Sequence, residues 1–407
     1  MVEQVPANYG NFNQEVYLPR SFLYFCGLWP GATFLHFSSI LIIILIVLFL
    51  PFAAFLFSSD SIEDIIESTG YVLSVTNTII TMFIVRWNSA SITAITNHMS
   101  DNWLCMTSIS NKDKQMLQKN VLSSKFVLRS AFAFVIFCVI TFSTMPYIFA
   151  AILGHELPRK AARVAWYPFP LENFFVILLS SVLTIATIFI DSLIDVAIDA
   201  FTVMAVFHCE GQLSLLCTTI YKYRGLIRHS GDDFTELRSY RKSCPCLKCI
   251  VDHHVDIGLF VEEINCYSSA VIFSKTTFTI IKFCAMGFFV VESVQEKNIS
   301  GIIIHLLYVC WSGFSLIIYC SLGEKLSKKS EEVERAVCEI DWSVKKSKQS
   351  RSLMLIIIRS RKAFAITAGK IFTMNLLFYK ECILASMSYL SVLIAIGLGD
   401  AAALSKD

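Results

Sequence analysis

Charge is scarce in this chain. Only 16% of its 407 residues are Asp, Glu, Lys or Arg, against 55% hydrophobic ones. A composition that apolar excludes a soluble globular protein. A formal net charge of +2 excludes the basic surface of a nucleic-acid binder, so no nucleic-acid partner is expected. Other signals are missing too. Met1 to Thr33 holds no compact signal peptide; it is polar and contains Pro6, Asn8, Asn11 and Asn13. The first apolar run is therefore expected to act as an uncleaved anchor. No internal repeat is evident, which argues against a transporter built from repeats. No phosphate-binding glycine loop, HExxH pair or nucleophile elbow is present, so neither an enzyme nor a bound cofactor is expected.

What is present is length in apolar runs. Seven spans are predicted: Thr33–Phe57, Thr69–Asn88, Phe126–Leu153, Asn173–Val206, Ser268–Val291, Gly301–Leu322 and Ala363–Ile396. The second carries Ser74, Thr76, Asn77, Thr78 and Thr81, so it is expected to face protein rather than lipid. Lysine and arginine set the orientation. Six lie in Arg86–Arg129, eight in Lys222–Lys275 and twelve in Lys325–Lys370. The first loop, Ser58–Ser68, has none, and Glu292–Ser300 has only Lys297; Gly154–Glu172, with Arg159, Lys160 and Arg163, dissents. The N terminus is thus expected in the cytoplasm and the C terminus outside. The one sequon, Asn298-Ile-Ser300, falls on a predicted outer loop and makes Asn298 a candidate glycosylation site.

The fourth span is long, with helical periodicity continuing from Phe174 through Cys217. Asp191, Asp195 and Asp199 lie four apart on one helix face. They read either as an acidic ion path or, favoured by the extra length, as partners of basic residues beyond the bilayer. None of the 14 cysteines falls on a predicted outer loop, so no disulfide framework is expected. Cys244-Pro-Cys246-Leu-Lys-Cys249, with His253 and His254 behind, resembles a zinc-ligand cluster. The spacing is not that of a standard finger and Pro245 separates two would-be ligands. The stretch reads as a reduced cytoplasmic loop open to palmitoylation, and no metal is assigned to it.

The last fifth of the chain organises the rest. Ser327 to Lys362 is charged, and Val333, Val337, Ile340 and Val344 recur as on an amphipathic helix in water. Ala363 to Ile396 then turns apolar, but carries Lys380 and Glu381 in mid-span. Charges at that depth are either a snorkelling, ion-paired couple or the lining of a water-filled path.

Tyr319-Cys320-Ser-Leu-Gly323-Glu324, Ser327, Ser330, Ala336, Trp342, Arg361-Lys362, Thr367-Ala-Gly-Lys370 and Ser388-Tyr-Leu390 together resemble the insect odorant receptors. Asp252–Ile281 resembles that family's approach to its fifth span, with His253 or His254 as its histidine. Ala363-Phe364 stand where the family commonly has proline. The resemblance implies an all-α membrane protein of seven transmembrane helices with a cytoplasmic helical anchor, a subunit of a tetrameric channel. Residues 1–32 would be the cytoplasmic N-terminal segment. Residues 33–322 would hold the first six helices, with the ligand pocket in their outer half. Residues 323–362 would be the anchor, with Tyr319, Gly323, Ala336 and Trp342 as its marker residues. Residues 363–397 would line the pore, and 398–407 would be an extracellular tail. The implied activity is a nonselective cation channel at the plasma membrane of olfactory neuron dendrites. A volatile ester, alcohol or terpenoid would open it, in a heterotetramer with a shared co-receptor.

Taking Tyr389 as the family's near-terminal tyrosine places the gate at Val392, with Ile396 one turn outward. Stepping back along that face gives Ser388, Ala385 and Glu381. Glu381 is expected to face water in the pore, and Lys380 is not. Candidate pocket residues are Tyr71, Ser74, Thr78, Thr141, Met145, Tyr147, Phe175, Ser181, His305 and Tyr308. A gustatory receptor would share this fold, but its glutamine–phenylalanine ending is missing. A G-protein-coupled receptor would have the opposite topology, an acidic-Arg-Tyr motif and an Asn-Pro-x-x-Tyr motif, none of which fits.

Overall fold

The computed structural model describes residues 10–58, 62–104, 110–153, 174–228, 242–295, 297, 299–342 and 347–404. Over these it is almost wholly helical. Helix α1 (Gly10–Phe25) lies within the segment expected to be merely polar. Its Val16 and Leu23 are buried, and Arg20 sits over the Trp29 ring at 5.8 Å. The first span is one continuous run in three pieces: α2 (Phe34–Ile43), a π-helical stretch (Ile44–Phe49) and α3 (Leu50–Ser58). Thr33 caps it, its hydroxyl accepting from His36 N–H at 3.2 Å. The π turn has a visible cause. Pro51 offers no N–H to the helix ladder and its ring crowds the carbonyl four residues back, so the ladder widens ahead of it.

Then follow α4 (Ile62–Trp87), α5 (Ser89–Leu104), α6 (Asn111–Leu153), α7 (Phe174–Tyr221), α8 (Leu247–Gln295) and α9 (Ile299–Cys338). Among the described residues, seven helical segments are long and apolar enough to cross a membrane: 34–58, 68–87, 111–141, 178–221, 247–295, 301–338 and 376–395. The first six overlap the expected spans, the third beginning earlier and the fourth to sixth running further at one end or both. α4 is the most protein-covered of them, with Asn77, Thr78 and Thr81 buried, as its hydroxyl content implied. At 1.5 Å per residue, α7 with 48 residues and α8 with 49 far exceed the roughly 30 Å of a bilayer core. Their remainder packs into a helical body at the end of the bundle that bears the basic connections. From Ile194 to Ile220 α7 is buried nearly all round, against Phe260, Tyr267 and Tyr319 among others. Where that body stands in water, each fully buried Phe or Leu contributes about 1.5–3 kcal/mol. Within lipid, close packing takes over that role.

The tail departs from the sequence expectation in two places. The charged stretch is not one helix. α9 runs on to Cys338 and buries Val333 and Val337, then α10 (Ser347–Ser360) begins anew; Val344 lies outside the described residues. Nor does the last span start at Ala363. α10 ends at Ser360 without a proline, because Phe364 turns inward, buried, its N–H donating to Ser330 Oγ at 3.0 Å. A small antiparallel hairpin follows, β1 (Thr367–Ala368) with β2 (Phe372–Thr373), and only then α11 (Leu376–Leu404).

That hairpin explains several residues that carried the family resemblance. Gly369 and Lys370 both take φ of 61° to turn the chain. α8 grips the turn. Asn265 Oδ1 accepts from Thr367 N–H at 2.9 Å, Ser269 O from Gly369 N–H at 2.9 Å, and Ser269 Oγ from Lys370 N–H at 2.8 Å. Gly323 is small for a steric reason: a Cβ there would lie 2.1 Å from the Met374 carbonyl oxygen.

Candidate ligand cavity and exposed final helix

Five elements meet around one cavity in the membrane part of the bundle. α3 supplies Phe52, α4 Tyr71 and Ser74, α7 Thr187 and Asp191, and α9 Tyr308 and Trp311, with α6 closing one side. The space open to the centres of water-sized molecules is about 40 Å³, so a ligand larger than a few atoms must displace side chains. Tyr71 is the hinge of its aromatic wall. It stacks on Phe52 with ring centres 4.8 Å apart and meets Tyr308 edge-on at 5.7 Å. Opposite that wall is a carboxylate. Asp191 interacts with the Thr78 hydroxyl, while its Oδ1 is buried with no hydrogen-bond partner. The cavity therefore offers an apolar, aromatic body and one acceptor oxygen in need of a donor.

Of the candidate pocket residues, Tyr71, Ser74 and Tyr308 line this cavity, and Thr78 stands behind it against Asp191. Thr141 does not line it; its hydroxyl donates to Phe137 O at 2.8 Å. Ser181 is buried elsewhere on α7. His305 is also apart, with Nδ1 3.3 Å from Ser293 Oγ and its ring against Phe289, so it is a satisfied interhelical group. The side chains of Met145, Tyr147 and Phe175, and all of Asn298, lie outside the described residues. Sequence reasoning missed Phe52, Thr187, Asp191 and Trp311. The signal for Asp191 was available in the aspartate series, which read as an acidic ion path or as ion pairing rather than as a cavity wall.

Ion pairing does hold for the other two aspartates. Lys275 of α8 bonds Asp199 and lies 3.0 Å from Asp195 Oδ1, close but not aligned as a hydrogen bond there. Asp199 also accepts from Tyr319 Oη at 2.5 Å and from Ser315 Oγ at 3.1 Å. Four polar side chains from α7, α8 and α9 thus satisfy one another inside the bundle. The basic partner belongs to the fifth span itself rather than to the region beyond it. The rest of the anchor set is structural in the same sense. Ala336 is fully buried, and Trp342 Nε1 donates to Cys338 O at 3.2 Å.

Over its described side chains, α11 packs through one face. Cys382 and Ser386 are buried, the latter's carbonyl accepting from Cys284 Sγ at 3.6 Å, and Leu390 fills the space above Gly287. Glu381, Ser388 and Val392 occupy the outward side, with Val392 56% exposed, and Ala385 sits half-buried at the flank. Lys380 is outward too, so exposure does not separate it from Glu381. The Ile396 side chain lies outside the described residues.

The family model described as 7tm Odorant receptor matches residues 61–387. The chain belongs to the 7tm odorant receptor family. Its seven apolar helices make this odorant receptor a multi-pass membrane protein. Odorant receptor 82a of Drosophila melanogaster is 31% identical over 134 residues, a stretch covering 30% of this chain and 31% of that relative. The insect olfactory receptor OR5 from Machilis hrabei, solved in complex with eugenol, superposes with a TM-score of 0.72 at 15% identity. The match covers 96% of this chain and all of that one. A second solved structure of the same receptor gives 0.71. At that identity the likeness concerns the fold, and it extends beyond the family-model match at both ends.

Proposed function

We propose that this odorant receptor is the ligand-tuned subunit of a nonselective cation channel, placed with its N terminus in the cytoplasm and its C terminus outside. In this reading four subunits, including copies of a shared co-receptor, surround one pore lined by α11. The observation that carries it is the pairing of an aromatic cavity with a final helix whose other face is exposed among the described residues. Basic residues concentrated at one end of the bundle support the orientation.

α9 connects the two regions. It presents Tyr308 and Trp311 to the cavity, then meets α11 one to three turns later. Tyr379 Oη approaches Gly313, 3.5 Å from where a Cβ would be, and Met374, two residues before α11, abuts Gly323. A ligand that parts Tyr308 from Tyr71 shifts α9, and α11 follows through the tight contact of Gly323 with Met374, where a Cβ would lie 2.1 Å from the carbonyl oxygen. Val392 then closes or opens the path as an apolar ring, while Glu381 attracts cations to its mouth.

The unpartnered oxygen of Asp191 favours a donor on the ligand. Among volatile esters, alcohols and terpenoids, an alcohol or terpene alcohol fits best, since an ester brings only acceptors. The test is whole-cell current in cells expressing the chain with and without the co-receptor, against matched alcohols and their acetate esters. Inward cation current only with the co-receptor, persisting when G-protein signalling is blocked, is the expected result. No current at all from protein shown to be at the surface would refute the channel reading. Esters outperforming alcohols would refute only the ligand assignment.

A further inference from the structure

The joint between α7 and α8 holds three cysteines that the receptor function does not use. Cys244, Cys246 and Cys249 are buried, and their Sγ atoms all lie within 4.8 Å of one another. A buried cysteine ordinarily behaves as a small hydrophobe packed among other apolar side chains. These three instead form a buried cluster of their own, separate from the main core and made of cysteine alone. Hydrogen bonds among the three thiols link them, a polar arrangement rather than apolar packing alone.

The backbone shapes the triangle. Cys246 immediately precedes the first residue of α8, and Cys249 N–H donates to Cys246 Sγ at 3.4 Å. That amide, in the first turn of α8, caps the helix on the Cys246 sulfur and fixes its place. The turn is itself pinned, with Leu247 N–H donating to Leu226 O at 2.9 Å and Lys248 N–H to Ile227 O at 3.2 Å. Cys246-x-x-Cys249 has the spacing by which paired thiolates hold zinc, and Cys244 brings a third sulfur from the connecting loop.

A fourth donor stands one turn along the same helix face. His253 follows Cys249 at i+4, the spacing at which two side chains of one helix share a metal ion. Both residues line one cavity. His253 Nε2 lies 3.2 Å from Gln212 Oε1, whereas its Nδ1 is buried with no hydrogen-bond partner. A metal-bound imidazole is ordinarily held in this way, its outer N–H donating to an oxygen while the inner nitrogen faces the ion.

We propose that Cys244, Cys246, Cys249 and His253 form a structural zinc site that staples the start of α8. Zn–S bonds of about 2.3 Å in a tetrahedron place sulfurs roughly 3.8 Å apart. The sulfur triangle therefore closes by about an ångström at most, and the imidazole, outside that triangle, swings in from the next turn. Three thiol protons leave as the ion binds, and the neutral imidazole contributes its Nδ1 lone pair. Zinc is favoured over copper(I) because a mixed sulfur and imidazole set of four suits its tetrahedral geometry. The site makes the Cys-Pro-Cys spacing, which fits no standard finger, a consequence of loop and helix sharing the ligands.

The test uses the full-length chain, purified in detergent through a tag that lacks histidine, with metals read by plasma mass spectrometry. About one zinc per chain is expected. Cys246→Ser and Cys249→Ser should lower that at least tenfold, and His253→Ala should weaken retention against a chelator about 10–100-fold. Cys338→Ser, at an exposed cysteine elsewhere, should retain zinc. Cobalt added to metal-stripped wild-type chain guards against variants that fail to fold. A thiolate-to-cobalt charge-transfer band that zinc abolishes is the expected result. Wild-type chain with no zinc and no such band overturns the proposal. So does zinc kept in full by Cys246→Ser, or a Cys246–Cys249 disulfide in the freshly isolated protein. Copper in place of zinc at the same ratio overturns the assignment of the metal.

Discussion

Lys275 Nζ on α8 lies 3.0 Å from Asp195 Oδ1 on α7, inside the apolar part of the bundle. The same ammonium bonds Asp199, which Tyr319 and Ser315 also satisfy. Removing one partner of such a buried set strands the others and costs about 3–5 kcal/mol, more than the intact set contributes. Lys275→Met should therefore lower the yield of monodisperse protein and its melting temperature in detergent. Adding Asp199→Asn and Asp195→Asn should recover part of the loss. Unchanged thermal stability in Lys275→Met alone would contradict this account.

The aromatic wall offers a second prediction. Tyr71 touches both Phe52 and Tyr308, and such ring pairs are worth about 0.5–1.5 kcal/mol each beyond their area. Tyr71→Ala should raise the half-maximal ligand concentration about tenfold or more, as 1.4 kcal/mol per decade implies. Tyr71→Phe should stay close to wild type. His305→Ala, outside the described cavity, should shift the curve little. Dose–response currents decide between them, and equal shifts at Tyr71 and His305 would be wrong for this cavity.

Asp191→Asn turns a pure acceptor into a group that is half donor. Sensitivity to an alcohol should fall, and sensitivity to its acetate ester should rise or hold, in paired dose–response curves. A parallel change for both ligands would mean that Asp191 acts on the fold rather than on the ligand.

Gly323 and Gly31 form a natural contrast. A Cβ at Gly323 would sit 2.1 Å from Met374 O, a backbone atom, whereas at Gly31 its nearest neighbour is a Trp29 ring carbon at 3.8 Å. Gly323→Ala should abolish surface expression or ligand-evoked current, because α9 can no longer approach the Met374 backbone that leads into α11. Gly31→Ala should be tolerated. Surface biotinylation alongside current measurement separates a folding loss from a gating loss.

For the pore, Glu381→Gln should reduce cation current and alter ion preference, while Lys380→Gln should do neither. Reversal potentials in mixed monovalent and divalent solutions read the difference. Identical reversal potentials for wild type and Glu381→Gln would remove this carboxylate from the conduction path.

The seven spans were legible from the sequence because a bilayer demands some 20 apolar residues at a stretch, and only local composition is needed to count them. The length of α7 and the protein-facing character of α4 followed the same way, from residues such as Phe174 to Cys217 and Asn77 to Thr81. Tyr71, Ser74 and Tyr308 were within reach because polar and aromatic groups on membrane helices mark surfaces that face protein. Where helices meet was a different matter. That α11 begins at Leu376 rests on Asn265 and Ser269, a hundred residues earlier, capturing the turn at Gly369 and Lys370. That Asp191 faces a cavity while Asp195 and Asp199 face Lys275 depends on the neighbours around three positions of one helix face, which spacing alone treats as equivalent. The three cysteines likewise become a cluster only when the loop folds back onto the first turn of α8. Local pattern specifies which segments enter the membrane. Long-range packing decides which polar groups find partners, because desolvation penalises every one that does not.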